Sequence, residues 1–330
     1  MKVLLVSNQH PNEQGVGNPI MYRMRNALQE DERVEKVEFV PFYNSLGAIK
    51  NIRSVASEYD VVHIHFGGLY ALILWFALIG VKGKKFITFH GTDIHAKALK
   101  TAKDWKERLK IHLNQKASFL CIRLFDRCGF VAKEMMDYVP SCLNKQMLEK
   151  AFYQPLGVDY TSFKIMDKAT ARKELGKSGE KKLILFSDVS NTSIKRRDIA
   201  EGVARELGDE YELMIMCGVK PNEVLYYINA CDFALLTSDE EGSPNIIREV
   251  LSLNKPFFSV EVGDTAMQLA GLQNSCIISR DPKEAAATIR EYINKDYTDN
   301  TREKLRERLD FTRINRGVVN KYLEKWQKNE

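Results

Sequence analysis

Short apolar runs recur along this chain, each followed by a stretch in which apolar positions return every three or four residues. In the first half, residues 3–7, 37–40, 61–65, 86–89, 129–132 and 151–154 read as strands, with helices over about 18–30, 46–57, 68–80 and 98–115. In the second half the strands fall at 183–186, 213–216, 233–236, 256–260 and 276–278, and the helices at about 195–207, 222–229, 245–253, 264–271 and 283–294. Two helical segments close the chain, with Tyr322 and Trp326 in the last. Strands that alternate with helices throughout predict an α/β protein with doubly wound parallel sheets. Residues 69–79 are apolar almost without interruption. They fall short of the roughly 20 residues of a spanning helix and lie between two predicted strands, so a buried, sheet-packing helix is expected.

At 330 residues the chain exceeds what one hydrophobic core usually organises, so two domains are expected. Residues 160–182 are polar and rich in Lys and Gly and read as an inter-domain linker. The start, Met1-Lys2-Val3-Leu4-Leu5-Val6, is too short an apolar run for a secretory signal and reads as a buried strand. Six scattered cysteines show no Cys-x-x-Cys and no zinc spacing, which fits free thiols in a reducing cytosol.

Charge is unevenly divided. Through residue 150 there are 22 Lys and Arg against 15 Asp and Glu, an excess of +7, whereas the remainder carries −2. A basic first half suits nucleic acid, an anionic membrane or an anionic acceptor. The small excess, with no stacked-aromatic or basic-helix motif of the nucleic-acid-binding kind, argues against nucleic acid. Residues 97–116 combine Lys97, Lys100, Lys103, Lys106, Arg108, Lys110 and Lys116 with Leu99, Trp105 and Leu109. Such a basic amphipathic helix can lie on an anionic membrane or simply present a solvated face.

The densest chemistry is at 237–249, Thr237-Ser238-Asp239-Glu240-Glu241-Gly242-Ser243-Pro244-Asn245-Ile246-Ile247-Arg248-Glu249, where a strand, a tight loop and a helix start follow one another. Pro244 suits a first helical turn, and Ser243 is placed to cap it. A helix start gathers backbone N–H groups and the positive end of the helix dipole, a seat for phosphate. Glu241 and Glu249, eight positions apart, bracket that seat. Carboxylates on both sides of a phosphate suit a ligand that is anionic in the middle and hydroxyl-rich at its ends, such as a sugar nucleotide.

Glu241-x7-Glu249 within Glu-Gly-Ser-Pro-Asn resembles the signature of retaining GT-B glycosyltransferases of the large family 4 group. The resemblance implies two Rossmann-like domains facing a central cleft. The first, residues 1–159, lies on the acceptor side and takes back a terminal helix of about 312–330; the second, 160–311, binds the nucleotide sugar. It implies Glu241 beside the donor sugar, Glu249 on the ribose hydroxyls, and Gly242, Ser243, Pro244 and Asn245 around the sugar and diphosphate. His90-Gly91-Thr92-Asp93 ends a predicted strand, where ligands of open sheets bind, and resembles the family's His-Gly-x-Asp. That places His90 beside the donor sugar and Asp93 toward the acceptor, although a histidine satisfied within a turn is also open. Pro155-Leu156-Gly157-Val158-Asp159, with Phe163, resembles the family's entry turn to the second domain.

Three further loops bear on the same reading. Gly15-Val16-Gly17-Asn18 fails as a dinucleotide fingerprint, since it lacks a third glycine and a ribose-binding acid after the next strand. The resemblance assigns Gly15 and Gly17 to the donor phosphates; a plain glycine turn is the alternative. His63 and His65 share one face of a strand, which fits packing better than metal ligation. Many relatives carry Gly-Arg-Leu and then Lys-Gly after the second domain's first strand. Here Asp188 stands about where the arginine would, and Lys195 matches the lysine, with Arg196 supplying the second charge. The loop from Met216 to Tyr227 is implied to face the nucleotide base and does not choose between uridine and guanosine.

The resemblance therefore implies transfer of a hexose-type sugar, with retention, from a UDP- or GDP-linked donor to a hydroxyl on a glycan or lipid-linked acceptor, as in cell-surface glycan or glycolipid synthesis. His90, Lys195 and Glu241 are the expected catalytic residues. No Asp-x-Asp is evident, and neither metal nor cofactor is expected; the chain is expected in the cytoplasm, peripheral on the inner face of the membrane. A sugar-nucleotide epimerase or hydrolase of the same fold, a sugar-nucleotide-binding partner without transferase activity and, more distantly, an NAD oxidoreductase are the rivals.

Overall fold

The computed structural model describes residues 1–8, 20–43, 45–91, 93–94, 104–139, 149–177, 179–188, 193–295 and 300–324. Among them the chain divides into two compact α/β units. The first contains β1 (Lys2–Ser7), α1 (Ile20–Gln29), β2 (Lys36–Pro41), α2 (Leu46–Ala56), β3 (Val61–His65), α3 (Leu69–Ala77), β4 (Lys84–Phe89), α4 (Trp105–Leu124), β5 (Arg127–Phe130), α5 (Lys133–Tyr138) and β6 (Ala151–Tyr153). The second contains α6 (Lys168–Glu174), β7 (Lys182–Ser187), α7 (Arg197–Leu207), β8 (Tyr211–Met216), α8 (Val224–Ala230), β9 (Phe233–Leu236), α9 (Asn245–Leu251), β10 (Phe257–Ser259), α10 (Thr265–Leu269), β11 (Cys276–Ile277), α11 (Pro282–Ile293) and α12 (Thr301–Leu309). The last helix, α13 (Phe311–Leu323), returns to the first unit.

Both sheets are parallel. The first has strand order β2-β1-β3-β4-β5-β6 and the second β11-β10-β9-β7-β8. Strands buried on both faces need apolar residues at successive positions, which is why β1 and β7 read as unbroken apolar runs. In β1, Val3 and Leu5 pack with α1 and α13 through Met24, Leu28, Val318 and Val319, while Leu4 and Val6 face Ile52, Ala71 and Leu74 of α2 and α3. The order reverses between β1 and β3 in one sheet and between β7 and β9 in the other. At such switch points the helices leave to opposite faces, and the carboxyl ends of the strands open a crevice for ligands.

Several expectations shift. Residues 160–182 are not a linker: Tyr160, Phe163 and Ala171 are buried in the second unit's core, and the division falls at Leu156–Gly157. The basic helix is α4, which runs to Leu124; Asp104 caps it by accepting from the Glu107 N–H at 2.8 Å, and residues 97–103 lie outside those described. Helix α3 is buried on one side only. Ala71, Leu74 and Leu78 face inward, while Leu69, Ile73, Phe76 and Ile79 are 42–56% exposed.

Candidate functional site

In the second unit the switch point is built from the carboxyl ends of β7 and β9. After β9, the buried Thr237 hydroxyl meets the carbonyl oxygens of Lys195 and Arg196, each at 2.9 Å, and the Asp239 N–H donates to Ile194 O at 2.8 Å. These bonds tie the loop after β9 to the turn before α7. They bring Lys195 and Glu241 together: Lys195 Nζ lies 2.5 Å from Glu241 Oε1, which also accepts from the buried Ser238 hydroxyl at 2.9 Å. Both members of the pair are mostly shielded from water, with side chains 22% and 15% exposed.

Arg196 adopts a left-handed backbone (φ 51°) at the start of α7 and pairs in bidentate fashion with Asp198, reaching Asp239 Oδ1 at 3.4 Å. The pairing holds the Asp198 carboxyl below its ordinary range. Arg280, a residue the sequence reading missed, approaches Asp239 from the other side at 2.8 Å and donates to Ser238 O at 3.0 Å. In Ser279-Arg280-Asp281-Pro282 it looks like any charge flanking a helix start. Three cations thus meet carboxylates at this end of the sheet.

Ser243 does not cap α9. Pro244 occupies the capping position, and among the described residues no side-chain cap is made there. The Ser243 hydroxyl instead donates to Asp264 Oδ2 at 2.6 Å and accepts from Arg248 Nη1 at 2.8 Å. Arg248 Nη2 donates to Ser243 O and to Asn245 Oδ1. Arg248 is 4% exposed, a guanidinium folded beneath the loop that rigidifies residues 243–245 from inside. Its place among Ile247, Val250 and Leu251 was the readable clue: a charge on the buried face of a helix needs buried partners. Gly242 is held from behind, its carbonyl accepting from the Asp264 N–H at 3.1 Å. Gly263 has φ 57°, and a Cβ there would lie 2.3 Å from Gly242 O, so only glycine allows this approach. Glu249 lies on α9, partly buried. Asp188, 3% exposed, follows β7 and donates its N–H to Met216 O.

In the first unit, His90 follows β4. Asp93 accepts from the N–H groups of His90 (3.0 Å), Gly91 (2.8 Å) and Gly67 (2.7 Å). This carboxylate ties together the loops after β3 and β4, and burial pushes its pKa up against those bonds. The His90 ring stacks on Phe66 at 4.0 Å, and Phe66 takes the uncommon φ of 69°. His90 Nε2 lies 3.1 Å from His65 Nδ1. Beneath them, His63 Nδ1 lies 2.5 Å from Tyr322 OH of α13, and His63 Nε2 lies 2.7 Å from Thr88 Oγ1, whose proton goes to Gln154 Oε1. The Thr88 oxygen therefore accepts from His63 Nε2–H, and Tyr322 donates to Nδ1. Burial pushes the His63 and His90 pKa values down to about 3 and that of His65 well below 6.5. Gly15 and Gly17 lie outside the described residues.

No protein-family model matches the sequence, and neither does any curated protein. Solved structures do. HepE of Anabaena in complex with UDP and glucose superposes with a TM-score of 0.71 at 15% identity, covering 96% of this chain and 98% of that one. Sucrose-phosphate synthase of Thermosynechococcus elongatus gives 0.70 at 12% identity, covering 98% of both chains. A UDP-N-acetylglucosamine 2-epimerase gives 0.59 at 11% identity, covering 97% of this chain and 94% of its own. The two parallel-sheet units thus form the GT-B fold.

Proposed function

We propose that this protein is a retaining glycosyltransferase of family 4 type that moves a sugar from a UDP- or GDP-linked donor to a hydroxyl of a glycan or lipid-linked acceptor. The observation that carries the reading is the shielded Lys195–Glu241 pair at the β7–β9 switch point, backed by the loop at 242–245. HepE, in the same fold, is seen in complex with UDP and glucose and with UDP-glucose. As the diphosphate leaves, positive character grows on the sugar ring and negative charge on the leaving oxygens. Lys195 and Arg196 exchange their carboxylates for those oxygens, which neutralises the charge without a metal. Glu241, released by Lys195, turns to the donor sugar and positions it, and Glu249 holds the ribose. His90 contributes a hydrogen bond to the sugar, while Asp93 shapes the acceptor-side loop rather than touching the acceptor.

Transfer from UDP- and GDP-sugars to hydroxyl acceptors tests this directly. Lys195→Ala is expected to lower kcat by about 10²–10³, the size of a lost transition-state charge contact, with a smaller change in KM. Donor turnover without any acceptor, undiminished in that variant, would favour an epimerase or hydrolase; donor binding with no transfer would favour a binding partner.

The acceptor side carries a second part of the proposal, contact with an anionic membrane. On α4, Trp105, Leu109, Leu113 and Leu120 are 38–68% exposed beside exposed Lys106, Arg108, Lys110 and Lys116. The exposed apolar residues of α3 lie on the neighbouring helix, joined to α4 where Asn114 Oδ1 accepts from the Leu69 N–H. Apolar side chains rimmed by lysines suit the boundary between headgroups and acyl chains. No helix among the described residues is long and apolar enough to cross a membrane. Sedimentation with anionic vesicles should be strong at low salt and weakened by Phe76→Ser with Trp105→Ser; binding indifferent to salt and to both changes would remove this part.

A further inference from the structure

His65 ends β3 and is 1% exposed, and its Nε2 meets no hydrogen-bonding partner among the described residues. Its other nitrogen, Nδ1, lies 3.1 Å from His90 Nε2. One proton sits on that line, and its owner decides the tautomer of both rings. His63 cannot change the choice: its ring lies 4.3 Å away, but both of its nitrogens are engaged, with Tyr322 and with Thr88. A neutral His65 protonated at Nε2 would bury an N–H without an acceptor, an arrangement folded proteins almost always avoid. An unmatched lone pair is tolerated more often. The proton therefore belongs on His65 Nδ1, which donates to His90 Nε2. A neutral His90 that accepts at Nε2 must carry its own proton on Nδ1.

We propose that His65 is a positioning residue for His90: by donating from Nδ1 it locks His90 as the neutral, Nδ1-protonated tautomer, which offers one N–H donor and no acid to an oxygen of the donor sugar. The identity of that oxygen rests on the transferase reading; the tautomer does not. His90 Nδ1 makes no hydrogen bond within the described residues, and the residue as a whole is only partly buried, so the donor is free to serve a ligand. The other degrees of freedom are already fixed. Phe66 holds the ring plane by stacking, at 20° between planes, and Asp93 holds the backbone on both sides of the stack. What remains is which nitrogen bears the proton, and His65 settles it.

The test uses the full chain labelled with ¹⁵N-histidine and long-range ¹H–¹⁵N correlation at pH 7, with His90 assigned by the peaks lost in His90→Gln. The wild type is expected to show His90 Nδ1 as the protonated nitrogen and Nε2 as the bare one. His65→Leu should shift His90 toward a mixture of tautomers. His65→Asn, whose amide N–H takes the place of Nδ1–H, should restore the wild-type pattern. A wild-type His90 protonated at Nε2, or a pattern untouched by His65→Leu, overturns the proposal without any variant needing to be active. Titration with UDP- and GDP-sugars adds a second reading: His65→Leu should weaken donor binding about tenfold, the size of one hydrogen bond, and His65→Asn should recover it. If Leu and Asn variants weaken binding alike while both fold, His65 only packs and the proposal fails. If no sugar nucleotide binds the wild type, the transferase reading fails while the tautomer is still decided by the spectra.

Discussion

Asp93 shows how one carboxylate can organise two loops. It accepts from three backbone N–H groups on the segments that carry His90 and Phe66, and it is 5% exposed. Asp93→Asn keeps the size of the side chain but replaces one acceptor oxygen with an N–H that confronts other N–H groups. The expected cost is about 2–3 kcal/mol, because charged hydrogen bonds are lost and a buried donor is stranded. Urea denaturation reads this, and an unchanged midpoint would show that the loops hold without the carboxylate. The buried histidines make a second prediction. His63 is depressed to about 3 and His65 well below 6.5, so in the folded state neither binds a proton at moderately acid pH. The unfolded chain does bind them near 6.5, so their contribution is full above that pH and is lost as the pH falls toward 3. Between pH 7 and pH 5 the linkage is worth about 2 kcal/mol for His63. His65→Asn should therefore flatten the fall in stability as the pH drops below 6.5, and a slope identical to wild type would show that His65 titrates normally.

At the scale of elements, the loop between β9 and α9 depends on its support from the segment before α10. Gly263→Ala places a side chain at φ 57° and drives its Cβ to within 2.3 Å of Gly242 O, a backbone atom that cannot swing aside. The left-handed conformation alone costs about 1–2 kcal/mol, and relief of the clash must displace Gly242. Weaker donor binding together with a lower melting temperature is expected, measured by calorimetry with and without a sugar nucleotide. Loss of stability with undiminished donor affinity would separate this support from the site. Much at this scale was legible. The strands are apolar because both faces are buried, and the Glu241-x7-Glu249 stretch gave away a strand, loop and helix start. What was not legible depends on partners distant in sequence. Ser243 looked like a cap because it precedes a helix, but Arg248 and Asp264 recruit its hydroxyl. Arg280 gave no local sign of reaching Asp239. The start of α4 was readable in Asp104-x-x-Glu107, yet nothing local marked its run on to Leu124. The apolar run at 69–79 carried no trace of which side would be left outside.

For the molecule as a whole, the instructive piece is α13, the last described helix, which belongs to the unit formed by the first part of the chain. Val318, Val319 and Tyr322 are at most 2% exposed and pack with Val3, Leu5, Phe86 and Phe152 across one face of the first sheet. Burying such side chains is worth about 1.5–3 kcal/mol each, so the three together supply on the order of 5–9 kcal/mol. That approaches the whole stability of an ordinary domain. The same helix delivers Tyr322 to His63, the first link of the buried chain that continues through Thr88 to Gln154. Two variants separate packing from hydrogen bonding. A chain ending at residue 310 is expected to leave the first unit unfolded or molten, with histidine amides exchanging freely, while the second unit, which closes on itself at Asp310, retains protected amides in β7 and β9. Tyr322→Phe keeps the ring and removes only the hydroxyl, so it should cost about 1–2 kcal/mol and leave the first unit folded. Hydrogen exchange followed by mass spectrometry reads both. If the truncated chain kept full protection in β1 and β4, α13 would be an ornament on a sheet that stands without it.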